Sequence, residues 1–597
     1  MDMYSFYTGK EFEAYKIQGA HVENGGVRFG TFAPAACKIA VIGDFNNWQE
    51  WYMDKINDGN FYQAFIPDAK EGQMYKYRIY TSGTAFVDHC DPYGFGMELR
   101  PANASIIRNL NSYAFQDETW MSARKADYTK PLNIYEVHAG SWQTNEKDEN
   151  GWFHYEELGR KLVPYLKKHG YNYVEFLPLS EHPCDESWGY QNTGFFAPTS
   201  RYGTAKELKK MVDYFHQNEI GVIMDFVPVH FAVDGYALAN YDGTALYEYP
   251  NSAVGVSEWG SCNFMHSRGE VRSFLQSAAN YWLTEYHFDG IRMDAISNII
   301  YWQGDASRGV NGNAVDFIKT MNQRLKERHP RCLLMAEDST NYPGVTKAVW
   351  EGGLGFDYKW DMGWMNDTLS YFQSHPDYRS RDYHKLTYSM MYYYDERFLL
   401  PLSHDEVVHG KASIVQKMNG DYDGKFPQAR AFYMYMYAHP GKKLNFMGNE
   451  LGQLREWDEK REQDWNILEY PIHNGFCRFM EKLNNLYLEH PAFFEGDYEK
   501  EGFRWLDCQQ EEKVIYVIER KALHATEKLV AVFNFSEKMW QNYSFSIEDV
   551  ENLKLLLSSD EETYGGAGIF KKKMLKAENG RVTLDVPPMC GLYFMSE

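Results

Sequence analysis

The chain has 597 residues and a mass of 69.8 kDa, too long for one hydrophobic core, which implies roughly three or four domains. A hydrophobic fraction of 44% with 24% charged residues is that of a soluble globular protein, and the net charge of −22 argues against nucleic acid or an anionic membrane as the main partner. Aromatic residues make up 17% of the chain; large cores account for that, and so do faces that stack on sugar rings, and composition does not choose between them.

Over residues 1–125 short alternating segments recur, VRFGTFAP, KIAVIGDF, FYQAFIP and MYKYRIYTSG, separated by Gly, Pro, Asn and Asp. That pattern predicts an antiparallel β-sandwich. Gly43-Asp-Phe-Asn-Asn-Trp48 sets Phe45 and Trp48 on a turn, and Asp91-Pro-Tyr-Gly94 follows. Plugging the sandwich core is the expected task of these aromatics. With the Asp91–Pro101 stretch, the arrangement resembles the carbohydrate-binding module that precedes the catalytic barrel in branching and debranching enzymes of the α-amylase superfamily.

From 126 to 490 the pattern changes to strand, loop and helix, repeated. Strands are predicted at Asn133–Ala139, Tyr173–Leu179, Gly221–Pro228, within His287–Asn298, at Leu333–Asp338, Phe356–Trp360, Phe398–Asp405 and Lys443–Gly448. A helix over Tyr155–Lys168 carries Leu158, Leu162, Tyr165 and Leu166 on one side, and its Pro164 predicts a kink or an early break. Another carries Leu208, Met211, Val212 and Phe215 at helical spacing. Eight such β/α units indicate a (β/α)8 TIM barrel with insertions.

The fourth strand holds Arg292 and Asp294 among apolar residues. They are two residues apart, so on a strand both point to one side. Burying them has a physical cost unless they are paired, and a guanidinium keeps a neighbouring carboxylate ionised, as a nucleophile requires. A buried ion pair that only fixes register would have the same sequence. Asp225, Asp294, Glu337 and Asp405, however, all fall at the C-terminal ends of predicted strands three, four, five and seven. In such a barrel those ends form the face that carries active sites.

Asp225-Phe-Val-Pro-Val-His230, Gly290-Ile-Arg-Met-Asp294, Ala336-Glu-Asp338 and Ser403-His-Asp405 match, in order and spacing, the four motifs of the α-amylase superfamily. Ser187-Trp-Gly-Tyr-Gln191, Lys359–Asp367, Met447–Gln453 and Arg455-Glu-Trp457 narrow the resemblance to glycogen or starch branching enzymes, and it covers nearly the whole chain. One departure is Cys184-Asp-Glu-Ser, where the family more often has an aromatic residue followed by Asp-Gly-Ser; the bulkier Glu186 is expected to alter the loop before Tyr190.

The resemblance implies a retaining double displacement with Asp294 as nucleophile, Glu337 as acid/base and Asp405 as the third carboxylate gripping sugar hydroxyls. It further implies that Tyr190 stacks on the sugar, that His230 and His404 hydrogen-bond it, and that Asp225 supports Arg292. The partner implied is an α-1,4-glucan such as amylose or glycogen, with the acceptor a 6-hydroxyl instead of water. No cofactor or metal is expected, and a monomer is. A hydrolase with the same barrel is disfavoured by Lys359–Asp367, and a catalytically dead glucan binder by the presence of all three carboxylates.

Over residues 491–597 the alternation returns at Phe503–Leu506, Val514–Ile518, Leu529–Phe535, Val582–Val586 and Leu592–Met595, predicting a C-terminal β-sandwich with a structural role. The eight cysteines are scattered without CxxC, which suits reduced thiols and gives no support for a zinc site. The N-terminus lacks a basic start followed by an apolar run, and no segment approaches the ~18 apolar residues of a membrane span. A cytoplasmic protein is expected.

Overall fold

Eight short strands, buried along most or all of their length, close into a parallel barrel in chain order. They are β1 (Asn133–Val137), β2 (Tyr173–Phe176), β3 (Gly221–Phe226), β4 (Gly290–Met293), β5 (Leu333–Ala336), β6 (Tyr358–Trp360), β7 (Phe398–Leu402) and β8 (Lys442–Phe446). The near-continuous apolar runs follow from a parallel sheet with both faces covered. The computed structural model describes residues 2–597 and resolves into two units. One holds the chain up to Ala126, His138–Val163 and Glu175–Asp357; the other holds Asp127–Val137, Pro164–Val174 and Tyr358–Glu597.

In the first unit the N-terminal strands form two antiparallel sheets. One has the order Gly19–Glu23, Gly26–Phe32, Phe61–Pro67, Asp54–Ile56; the other runs Trp51–Tyr52, Lys38–Gly43, Met74–Ser82, Ala85–His89. Tyr75 and Tyr77 project into the interior, and both hydroxyls donate to Asp91 Oδ2, at 2.7 and 3.0 Å. Burial raises the Asp91 pKa to about 6. The two turn aromatics differ: Phe45 packs against Phe29, ring centres 5.4 Å apart, whereas Trp48 stays 37% exposed with its indole N–H on Asp44. Only the first of them helps to fill the core.

A short helix, Glu118–Ala123, leads from this domain toward the barrel. Its surroundings are a buried charge cluster. His216 places Nδ1 2.7 Å from Asp117 and Nε2 2.8 Å from Asp289, while Arg124 and the Trp120 indole also donate to Asp289. Burial works against a charged imidazole, but Asp289 and Asp117 outweigh it and raise its pKa to about 9. Asp289 sits at the N-terminal end of β4 and its second oxygen also accepts the Val222 amide of β3, 2.7 Å away. The cluster therefore ties the linker to the edge of two barrel strands.

Helix α1 (Tyr155–Lys168) contains Pro164 yet runs on for four residues beyond it. The expected early break does not occur. Proline forfeits an N–H and crowds the preceding turn, a cost of roughly 3 kcal/mol. Leu158, Leu162 and Leu166 on the same face are fully buried. At roughly 1.5–3 kcal/mol per side chain their burial offsets the loss. Helix α2 (Ala205–Gln217) opens on a capping box: Thr204 accepts the Glu207 amide and Glu207 reaches back to the Thr204 amide. Helices α3 (Gly269–Glu285) and α4 (Gly312–Arg328) follow β3 and β4. Between β5 and β6 there is no α-helix, only the 3-10 turn Val349–Glu351.

In the second unit β1 pairs with β8, β8 with β7 and β7 with β6. Helices α5 (Met362–Gln373), α6 (Tyr422–Ala438) and α7 (Pro471–Glu489) follow β6, β7 and β8. The C-terminal region contains the expected strands and three more, Trp540–Ser546, Asn552–Ser558 and Met574–Lys576. Its six-stranded sheet runs 503–507, 515–521, 528–534, 590–596, 552–558, 574–576, facing a pair formed by 540–546 and 581–586. Val517, Val530, Phe545, Leu592 and Phe594 are among its core. Arg430 of α6 is buried against this domain and donates to the carbonyls of Ser559 and Tyr564, at 2.7 and 3.2 Å. Among the described residues no helix is long and apolar enough to cross a membrane.

Candidate active site

In the first unit the C-terminal ends of β3, β4 and β5 stand side by side, with Asp225 paired to Arg292 and Met293 to Ala336 in register. Asp294 and Glu337 are the first residues past β4 and β5. Arg292, fully buried, joins them. Its Nη1 donates to Asp225 Oδ2 at 2.5 Å and lies 3.2 Å from Asp294 Oδ1; its Nη2 is 3.1 Å from Glu337 Oε2. Burial opposes its charge, but Asp225, Tyr190, Glu337 and Asp294 together hold its pKa well above the ordinary arginine value. The guanidinium stays charged.

Asp294 and Glu337 have 15% and 18% of their side chains exposed, whereas Asp225 and Arg292 are sealed. Two carboxyl groups can thus meet a ligand while their common counter-ion cannot. The backbone is equally fixed: the Asp294 amide donates to the Phe226 carbonyl and the Glu337 amide to Met293. Glu337 Oε2 also accepts the Ala295 amide at 2.8 Å. With two donors on Oε2, a proton carried by Glu337 belongs on Oε1.

Tyr190 comes from the loop between the strands Ser180–Glu181 and Gly194–Pro198. Its hydroxyl donates to Asp225 Oδ2 at 2.5 Å and accepts from Arg292 Nη1 at 3.1 Å, which orients the ring. The preceding Cys184–Ser187 segment is pinned by Asp185, which binds both Arg100 and Arg201 in a charge-assisted fork, while Glu186 stays exposed. His230, on the short strand after β3, does not bond to the arginine network. Its Nδ1 lies 2.8 Å from Ser261 Oγ and its ring 5.2 Å from that of Trp259. Burial lowers its pKa to about 4, so the ring is neutral.

In the second unit His404 and Asp405 open the 3-10 turn that follows β7. Glu136 of β1 grips His404 with both oxygens, accepting its amide at 2.9 Å and its Nδ1 at 2.6 Å. Nδ1 must therefore carry a proton, because a carboxylate only accepts. Nε2 faces Asp405 Oδ1 at 3.4 Å, and Asp405, 41% exposed, is the accessible member of the set. Sequence reasoning did not single out Glu136. The available signal was a glutamate inside an otherwise apolar buried strand, which requires a partner. Among the described residues no group of three or more His, Cys, Asp or Glu is arranged to hold a metal ion.

Sequence models match for carbohydrate-binding module 48 (isoamylase N-terminal domain) at 18–94, the alpha amylase catalytic domain at 158–242, and the alpha amylase C-terminal all-beta domain at 505–597. The 1,4-alpha-glucan branching enzyme GlgB of Bacillus subtilis (strain 168) is 42% identical over 603 residues, covering 98% of this chain and 96% of the relative. That of Halothermothrix orenii is 42% identical over 619 residues, covering 99% and 98%. Among solved structures, a Salmonella typhimurium protein described as an alpha amylase superposes with a TM-score of 0.74 at 17% identity, over 97% of this chain and 99% of that one. Pullulanase from Bacillus acidopullulyticus gives 0.72 at 16%, over 97% and 75%. At such identities these two speak for the fold alone.

Proposed function

The chain belongs to the 1,4-alpha-glucan branching enzymes, glycosyltransferases of the alpha-amylase superfamily, and from that premise we propose how its residues carry out the reaction. The enzyme cleaves an α-1,4 bond of a glucan such as amylose or glycogen and passes the released chain to a glucan 6-hydroxyl, making an α-1,6 branch. Asp294 attacks the anomeric carbon and forms a glucosyl ester. Glu337 gives its Oε1 proton to the departing 4-oxygen, then accepts the proton of the incoming 6-hydroxyl as that oxygen displaces Asp294. Two inversions at the same carbon retain configuration.

The observation that carries this reading is the single buried guanidinium in contact with Asp225, Asp294 and Glu337. It keeps Asp294 anionic for attack and neutralises charge as the ester forms and breaks. Asp405 acts as the third carboxylate, holding sugar hydroxyls as the ring flattens. Its place after a strand of the same barrel and its exposure support that role. Tyr190 and His404 pack against and hydrogen-bond the same sugar, and His230 donates to it. The scattered cysteines suit a reducing compartment, and the reading places the enzyme in the cytoplasm, acting as a monomer.

The test is incubation with amylose, following iodine colour and reducing ends before and after a debranching enzyme. Branching lowers the colour with few new reducing ends until the debrancher releases them. A large immediate rise in reducing ends would show hydrolysis and overturn the reading.

A further inference from the structure

Ser257 to Ser261 form a tight turn next to His230. The Ser257 amide donates to the Ser261 carbonyl at 2.9 Å, and Cys262 then pairs with Phe231. Gly260 takes a positive φ of 75°, which lets the turn close. Inside it, Ser257 Oγ accepts the Trp259 amide at 3.2 Å and the Ser261 amide at 3.1 Å. A hydroxyl oxygen has two lone pairs, and these amides take both.

The hydroxyl hydrogen of Ser257 therefore points to Ser261 Oγ, 2.5 Å away. Ser261, having accepted it, turns its own hydrogen to His230 Nδ1, 2.8 Å away. Nδ1 is then an acceptor, and the one proton of a neutral imidazole is on Nε2. Both serines are buried, so they act through the histidine. Trp259, carried by the same turn and 47% exposed, sets its ring 5.2 Å from the imidazole at an interplanar angle of 35°.

We infer that Ser257 and Ser261 are positioning residues that fix His230 as its Nε2–H tautomer, so that it offers a hydrogen-bond donor to a sugar oxygen. That the oxygen belongs to a glucan rests on the branching-enzyme reading; the tautomer does not. The direction of the whole chain is set by two backbone amides, so it does not depend on a ligand being present.

The test is 15N spectroscopy of the full-length protein labelled at histidine, with His230 assigned by its loss in H230Q. At pH 7 the wild type is expected to show a protonated Nε2 and an unprotonated Nδ1. S261A should mix the two tautomers and raise KM for amylose about fivefold, one hydrogen bond's worth, while S261T restores both. A protonated Nδ1 in the wild type, or a spectrum unchanged in S261A, would overturn the inference. The wild-type spectrum decides even if S261A does not fold. A protein that fails to branch amylose but shows the Nε2–H tautomer would refute the functional reading and leave this one standing.

Discussion

Arg292 Nη2 lies 3.1 Å from Glu337 Oε2, on an oxygen that also accepts the Ala295 amide. One oxygen of Glu337 is thus occupied by two donors, and in the proposed mechanism proton transfer falls to the other. The same guanidinium reaches Asp294 through Nη1. A lysine has the charge but not the fork, and cannot serve both carboxylates in this geometry. R292K is expected to lower kcat by about 100-fold with little change in KM, since what is lost is charge stabilisation in the transition state. Steady-state branching kinetics check this, and an equal rise in KM with kcat unchanged would argue against it.

Asp294→Asn should abolish turnover, by more than about 1,000-fold, with the thermal unfolding transition preserved. The complementary experiment uses E337Q with an α-maltosyl fluoride. Fluoride leaves without an acid, so the ester on Asp294 forms and, lacking its general base, accumulates. Mass spectrometry of the peptide containing Asp294 should show the added maltosyl mass, and an unmodified peptide would contradict the nucleophile assignment.

Glu136 holds His404 with two acceptor oxygens, and an amide offers only one. E136Q sets an NH2 group against either the His404 amide or its Nδ1–H, leaving a buried donor unsatisfied at roughly 1–3 kcal/mol. The expected outcome is a fall of about tenfold in kcat/KM with secondary structure unchanged by circular dichroism. An activity equal to wild type would show that the His404 orientation is set by other contacts.

His216 gives a stability signal at alkaline pH. Its folded pKa of about 9 stands above the ordinary value of 6.5. A raised pKa contributes stability that is fully present below about pH 6.5 and is lost as pH rises through about 9. The shift corresponds to on the order of 3 kcal/mol. Between pH 7 and 10 the wild type should therefore lose more stability than H216Q in urea titrations. Parallel curves for the two proteins would show that the imidazole is not the group responsible.

The barrel, the flanking β-domains and the carboxylates at strand ends were legible in the sequence, because each depends on a local pattern. Apolar runs mark strands buried on both faces, alternation marks sandwich strands, and a charged residue at the end of such a run stands out. The extra C-terminal strands were not legible. Asn552–Ser558, for example, pairs with Cys590–Ser596, so its partner lies far along the chain. Nor was the continuation of α1 past Pro164, which is decided by how well the leucines beside it are buried.

What the sequence determined alone was which carboxylates stand at the ends of barrel strands: Asp294, Glu337 and Asp405, in that order. Tertiary structure decided which atoms of distant residues these groups meet. Arg292 meets Tyr190, Asp225 and Glu337 from 102, 67 and 45 residues away, and Glu136 meets His404 from 268. Hydrogen-bond direction depends on distance and angle between atoms, and no spacing along the chain encodes these. The two donors on Glu337 Oε2 and the Ser261 contact with His230 Nδ1 are set by such distances.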